Sequence, residues 1–147
     1  PKMLAKGITV GLGTDGASSN NNLDIVEEMR LTTLIHKANT LDPLVIPAET
    51  AINMLTEGGA KCLGYKDVGK LETGYKADIT LVDREGLHWY PKNDTLSLMP
   101  YSANSMDVDT VLVNGEVLLR HKEFTKLDIE KIKAEAERTR KKLFAHI

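Results

Sequence analysis

The sequence predicts an α/β chain in three consecutive parts: a strand with following helices over residues 1–64, the strands of a small β domain over 65–122, and a closing helix over 123–147. Three observations predict it. Ile8, Val10 and Leu12 alternate with Thr9, Gly11 and Gly13 at the period of a strand. Ala48, Ala51, Ile52, Leu55, Gly59, Cys62 and Leu63 recur at helical spacing. Asn114–Gly115 stands between two apolar runs, the pattern of a two-residue hairpin whose turn needs positive φ at both positions.

The first strand carries branched side chains on one side and small residues on the other, which suits a strand covered by helices outside and crowded inside. Carried one step further, the period of two puts Asp15 on the small-residue side, at the carboxyl end of the strand. In a (β/α)8 barrel that is the lumen at the catalytic face. Residues 16–23, GASSNNNL, are polar and loop-like, with Ser and Asn able to cap the next helix. That helix is expected from about Asp24 to Lys37, with Asp24, Glu27 and Glu28 early and Arg30, His36 and Lys37 late, the favourable sense for the helix dipole. NTLDPLVIP is a connection held between Pro43 and Pro47. Pro47 suits the first turn of a second helix. Gly58–Gly59 costs that helix about 1 kcal/mol per glycine, so close packing should compensate, and Gly64 reads as its stop.

After Gly64 the character turns from helix to strand. A Thr73–Gly74 turn leads to a strand from Ala77 to Val82, and DTVLVNGEVLLRH supplies the hairpin. The stretch between them, REGLHWYPKNDTLSLMPYSANSMDV, reads as a long irregular loop, of the kind that carries function or leans on something else. Within it, LMPYSANSMDV reads as a packing loop, with an approach to the active site of a neighbouring subunit as the alternative. From about Leu127 an amphipathic helix is expected, with Ile129, Ile132, Ala136, Thr139 and Leu143 as its inner stripe and Thr125 with Asp128 as a capping box.

A formal net charge of −2 and the lack of a long Lys/Arg block exclude the electrostatic footprint of a nucleic-acid or anionic-membrane binder. The basic run Arg138 to Lys142 ends a helix, where it complements the dipole. The single cysteine, Cys62, excludes an internal disulfide framework, suits a reducing cytoplasm and reads as a buried structural thiol. No apolar stretch approaches the ~18 residues of a membrane-spanning helix, and no signal peptide is visible. The chain opens PKMLAKG, without an initiator methionine, as a fold entered midway.

GLGTDG, residues 11–16, matches G-x-G-x-x-G through Gly11, Gly13 and Gly16. A dinucleotide site also needs a helix opening within the motif and an acid about 20 residues on, at the end of a second strand. Here Asp15 would aim negative charge into a phosphate loop, a polar stretch delays the helix, and His36 to Asp42 follows a helix rather than a strand. The alternatives for Asp15 are a metal ligand or a simple cap on the following loop.

GITVGLGTDGASSNNNLDIVEEMRL resembles the last barrel strand and following helix of the amidohydrolase superfamily, most closely the branch of methylthioadenosine/S-adenosylhomocysteine deaminases and triazine hydrolases. ETAINMLTEGGAKCLGYKDVGKLETGYKADITLVD is similar to that family's post-barrel helix and its re-entry into a small β domain, and VDTVLVNGEVLLRHKEF to the last hairpin of that domain. The likeness departs at LTEGGA, where the family more often carries a threonine/asparagine pattern.

The resemblance implies the C-terminal piece of a (β/α)8 metal-dependent hydrolase barrel, its last βα unit, with part of a small β-sandwich domain and a C-terminal helix, in an enzyme of roughly 400 residues or more. It implies that Asp15 binds one divalent metal, Zn2+ or Fe2+, and accepts the proton of its bound water. Ser19 and Asn20 would shape the mouth of the barrel, by loop hydrogen bonds or by substrate contact. The metal lowers the pKa of water toward ~7, and the hydroxide would deaminate an adenosine-type nucleoside to the hypoxanthine analogue and ammonia. Alternatives are another ring hydrolase of the superfamily (a guanine- or cytosine-type deaminase or a triazine chlorohydrolase) and a non-catalytic structural or interaction domain.

The family's metal site also needs an early His-x-His pair, a later histidine and a glutamate near the substrate ring. The four histidines here, His36, His88, His121 and His146, stand apart and read as surface or packing residues. This chain alone is therefore expected to hold no metal, to be inactive, and to self-associate through exposed strand edges. The expected partner is a small heterocyclic substrate, not nucleic acid or a membrane.

Overall fold

A computed structural model describes residues 1–145 of the chain, so the expectation for His146 lies outside the described residues. A short helix, α1 (Lys2–Ala5), ends at Gly7 with φ 72° and runs into residues 8–16. Those residues form no sheet ladder, contrary to the expected strand, because among the described residues no neighbouring strand offers its backbone; their main link is Leu12 N–H donating to Met54 O at 3.2 Å. Helix α2 (Ile25–Thr40) starts where expected. The Asp24 carboxylate accepts the N–H groups of Val26 (2.9 Å) and Glu27 (3.2 Å), satisfying two of the orphan donors of its first turn. Lys37 Nζ donates to the carbonyls of Val45 (2.6 Å) and Ile46 (2.8 Å), which folds the connection back along α2 and buries Ile46.

The single helix expected after Pro47 is two, α3 (Ala48–Leu55) and α4 (Glu57–Cys62), broken at Thr56 with φ −105° and ψ −94°. The break turns a different set of residues inward: Ala51, Met54, Gly58 and Ala60 are buried, while Cys62 and Leu63 are exposed. Cys62 is thus not the buried thiol that an unbroken periodicity implies. The glycines do permit the close packing that their helix cost suggests. A Cβ on Gly58 would lie 2.8 Å from Val10 O, and one on Gly11 would lie 3.0 Å from Gly59 Cα. Gly11 therefore faces α4 rather than an open interior. Met29, Ile46, Ala51 and Met54 form the core cluster, with Leu4, Val10, Leu12 and Met99 packed against it.

The second half is an antiparallel meander in the order β1 (Ile79–Val82), β2 (Val108–Val113), β3 (Glu116–Arg120), β4 (Glu123–Phe124). Gly74, at φ 90°, turns the chain toward β1 with Tyr75 N–H on Glu72 O. Asn114 (φ 51°) and Gly115 (φ 80°) make the expected hairpin turn between β2 and β3. A second positive-φ pair, His121 (50°) and Lys122 (67°), adds the short β4, which no glycine or asparagine announced.

Between β1 and β2 the chain is ordered rather than irregular. It holds a 3-10 turn (Leu87–Trp89), helix α5 (Thr95–Ser102) capped by Asp94, and a second turn (Ser105–Asp107). Trp89 and Pro100 are fully buried. The buried Asp107 is the hub: it accepts from His88 Nε2 (2.8 Å), Trp89 Nε1 (3.1 Å) and Asn104 N (2.9 Å). The segment leans on the helices, as the length of the loop suggested, through Arg30 Nη2 on Ala103 O (2.6 Å) and Nε on Pro100 O (3.3 Å).

The closing helix, α6 (Ile129–Phe144), is capped by Asp128, which accepts Lys131 N–H at 2.9 Å, while Thr125 Oγ1 turns away to Val117 O at 2.7 Å. The expected Thr125–Asp128 capping box is therefore absent. No residue of α6 is buried, and of the expected inner stripe only Ile129 is partly covered among the described residues; Ile132 is 50% and Leu143 69% exposed. No helix among the described residues is long and apolar enough to cross a membrane.

This packing can be tested at two points. Gly58→Ala gains ~1 kcal/mol of helix propensity yet should lose about 1–3 kcal/mol by overpacking against the Val10 carbonyl; a urea midpoint equal to or above that of the parent contradicts the close approach. Burial works to raise the Asp107 carboxyl, and the His88, Asn104 and Trp89 donors outweigh it and hold it below its ordinary 3.8. Its stabilising contribution is thus complete above that ordinary value and is lost as pH falls through the lower folded-state value. Trp89, the sole tryptophan, should shift its emission to the red only in that acid window, whereas in Asp107→Asn it should already be shifted at neutral pH. A neutral-pH spectrum of Asp107→Asn identical to that of the parent contradicts the hub.

Candidate functional site

Asp15 lies in the loop between the extended segment and α2, exposed, with φ 62°. An L-residue avoids this left-handed conformation, although Asp tolerates it better than most. The loop around it is tightly bonded. Asp15 Oδ1 accepts Gly16 N–H at 2.6 Å, and Gly16 O accepts the N–H groups of Ser19 (3.0 Å) and Asn20 (2.9 Å). Oδ2 of Asp15 accepts no hydrogen bond among the described residues.

Asn20 is the most engaged residue of the loop. Its Nδ2 donates to Thr14 O and to Glu28 Oε1, both at 3.0 Å, and its Oδ1 accepts Asn22 N–H at 3.1 Å. Asn22 Nδ2 in turn meets Glu27. The two acids of the first turn of α2 therefore bond the loop as well as favouring the helix dipole. Periodicity shows them only as dipole complements, and the spacing of eight from Asn20 to Glu28 belongs to no regular element. Ser19 is exposed and joins the loop through its backbone. At the start of α2, burial raises the Asp24 carboxyl, and the Ser105 hydroxyl and the Glu27 and Val26 N–H groups outweigh it and hold it below the usual range.

The histidines stay apart. His36 lies within α2, His88 bonds Asp107, and His121 sits at the β3–β4 turn with Nδ1 3.3 Å from an Asp109 oxygen. Among the described residues no three His, Cys, Asp or Glu side chains gather as a metal site. Two shallow cavities, one of about 220 Å³ between Glu57, Lys70 and Tyr75 and one of about 210 Å³ between Ile8, Thr50 and Asn53, both lie away from Asp15. The donor set here therefore fits a metal as one hard carboxylate oxygen, not as a complete site, since three or four protein ligands are normal.

The profile of the amidohydrolase family matches residues 1–118. The chain is 51% identical over 137 residues to a 5-methylthioadenosine/S-adenosylhomocysteine deaminase of Pelotomaculum thermopropionicum, covering 93% of this chain and 32% of that protein. It is 46% identical over 144 residues to the enzyme of the same name from Carboxydothermus hydrogenoformans, covering 98% of this chain and 33% of that protein. Among solved structures, an adenosine deaminase from Xanthomonas campestris with bound zinc superposes with TM-score 0.92 at 32% identity, over 95% of this chain and 32% of that one. Atrazine chlorohydrolase from Arthrobacter aurescens, complexed with zinc, superposes with TM-score 0.83 at 33% identity, over 92% of this chain and 30% of that one. The chain thus spans about a third of the length of the curated relatives it matches.

The strained loop makes its own prediction. Asp15→Gly, which fits φ 62° freely, should be more stable than Asp15→Ala by about 1 kcal/mol in urea unfolding. Equal midpoints would mean that the left-handed backbone at Asp15 is not held in solution.

Proposed function

The chain belongs to the amidohydrolase family, and from that premise we propose that it forms one part of a longer metal-dependent hydrolase acting on C–N bonds of cyclic amidines. The preferred reaction is hydrolytic deamination of an adenosine-type nucleoside of the methylthioadenosine/S-adenosylhomocysteine class, in the cytoplasm. The observation that carries this reading is the exposed Asp15 carboxylate, presented by a bonded loop at the end of a segment that packs by its backbone on α3 and α4. The names and identities of the deaminase relatives support the substrate class. On this reading residues 1–64 are the last βα unit of a (β/α)8 barrel with following helices, residues 65–122 part of a small β domain, and 123–147 its closing helix.

Asp15 would hold one divalent metal, zinc or iron, through its free Oδ2, while Oδ1 stays on Gly16 N–H. When bound, such a metal supplies an acidified water near neutral pH and Lewis-acid polarisation of the ring. The work of this chain is then to hold a carboxylate that receives a proton and passes it toward the leaving amine, with ammonia and the hypoxanthine analogue as products. Ser19 and Asn20 shape the mouth around it. The other ligands come from residues outside this chain, so the isolated chain is inactive, and its exposed apolar segment favours self-association. A triazine or another amino-substituted ring remains the second substrate class, favoured by the likeness to atrazine chlorohydrolase.

The test is ammonia release by the full-length enzyme that carries these residues, on methylthioadenosine, S-adenosylhomocysteine and adenosine. Asp15→Asn should lower kcat by about 100-fold or more and weaken metal retention. Ammonia from none of the three sinks the deaminase reading, and chloride release from a chlorotriazine moves the assignment to the second class.

A further inference from the structure

Asp15 occupies a backbone conformation that its surroundings must enforce, and the bonds that enforce it converge on one side chain. The Thr14–Asp15 peptide is planar, so fixing Thr14 O fixes Asp15 N–H and with it the start of the φ rotation. Asn20 Nδ2 holds that oxygen at 3.0 Å. On the other flank Asn20 N–H holds Gly16 O at 2.9 Å, so a single residue grips peptides on both sides of Asp15.

That grip works only if the Asn20 amide presents its NH2 group, not its oxygen, to Thr14 O. A flipped amide would set two oxygens against each other. Glu28 decides the sense: its Oε1 lies 3.0 Å from the same Nδ2, and a carboxylate can only accept. Glu28 stands in the first turn of α2, whose start is fixed by the Asp24 cap. The chain of contact runs from a rigid helix through one amide to the peptide that aims Asp15.

We propose that Glu28 and Asn20 are positioning residues for Asp15: Glu28 locks the Asn20 amide, and Asn20 locks the left-handed backbone that presents the carboxylate. This rests on the reading of Asp15 as a metal ligand. Neither residue needs to touch the substrate, and every polar atom of the Asn20 side chain is already engaged within the loop.

The experiment uses the full-length enzyme, with zinc affinity by chelator competition, kcat, KM and Tm measured together. Glu28→Ala should lower zinc affinity and kcat by about 10–100-fold, with KM and Tm close to the parent. Glu28→Gln, whose amide oxygen accepts the same bond, should restore most of both. Asn20→Asp keeps the shape, loses both donors and sets a second carboxylate against Glu28; it should lower zinc affinity and kcat at least as far as Glu28→Ala, and the double variant, which removes that repulsion, should be no worse than Asn20→Asp. Should Glu28→Ala fail to fold, Asn20→Asp decides by the same readouts. Parent-like zinc affinity and kcat in Glu28→Ala and Asn20→Asp, or losses that only follow Tm, overturn the proposal. Asp15→Asn separates the two levels: if it keeps zinc and activity, the metal-ligand reading itself fails; if it loses them while Glu28→Ala does not, only the positioning role fails.

Discussion

The backbone of residues 10 and 11 lies against α4 at a separation that only glycine allows. Gly58 admits the Val10 carbonyl, and Gly11 meets the backbone of Gly59. Side chains at those positions would push the extended segment outward, and everything downstream of it would move. Asp15 stands four residues after Gly11, so the placement of its loop depends on that contact. The segment has no sheet partner among the described residues, and the helices supply what order it has through Val10 and Leu12 in the core cluster.

A second set of constraints joins the helices to the sheet. Arg30 reaches from α2 to the carbonyls that end α5, and Asp107 gathers the donors of His88, Trp89 and Asn104 at the start of β2. A buried carboxylate is costly unless its oxygens are bonded, and these are. The 3-10 turns and α5 therefore tie together two parts that the sheet alone would leave independent. The same Asp24 whose carboxylate caps α2 follows directly on the loop that carries Asp15, so the end of that loop is fixed by the start of the helix.

The features legible in the sequence were local. Asn114–Gly115 has one good turn to make, and it makes it. The acidic first turn placed the start of α2 within a residue, although the cap is Asp24 itself and not the Ser or Asn of the loop before it. Gly58–Gly59, costly in a helix, pointed to a close approach that is there. Features that depend on distant partners were not legible. The Thr56 break rotates the next turn, so the periodicity that would bury Cys62 holds in sequence but not in space. Trp89 and Asp107 are eighteen residues apart and share no period, which left their segment looking irregular. The stripe on α6 is real as a pattern, yet a pattern names a face and not what covers it. In the site, Asp15 stood out by its place after a strand-like run. The Asn20–Glu28 link did not, because it joins a loop to a helix across no repeating interval.

The proposed role of Asp15 as a ligand of the catalytic metal is tested most directly by an anomalous difference map at the zinc edge, from crystals of the full-length enzyme that carries these residues. A peak within about 2.0–2.2 Å of an Asp15 carboxylate oxygen, with the residue still at positive φ, is the expected result. A fully occupied metal whose ligands do not include Asp15, or an Asp15 carboxylate turned into loop hydrogen bonds with both oxygens, would contradict it.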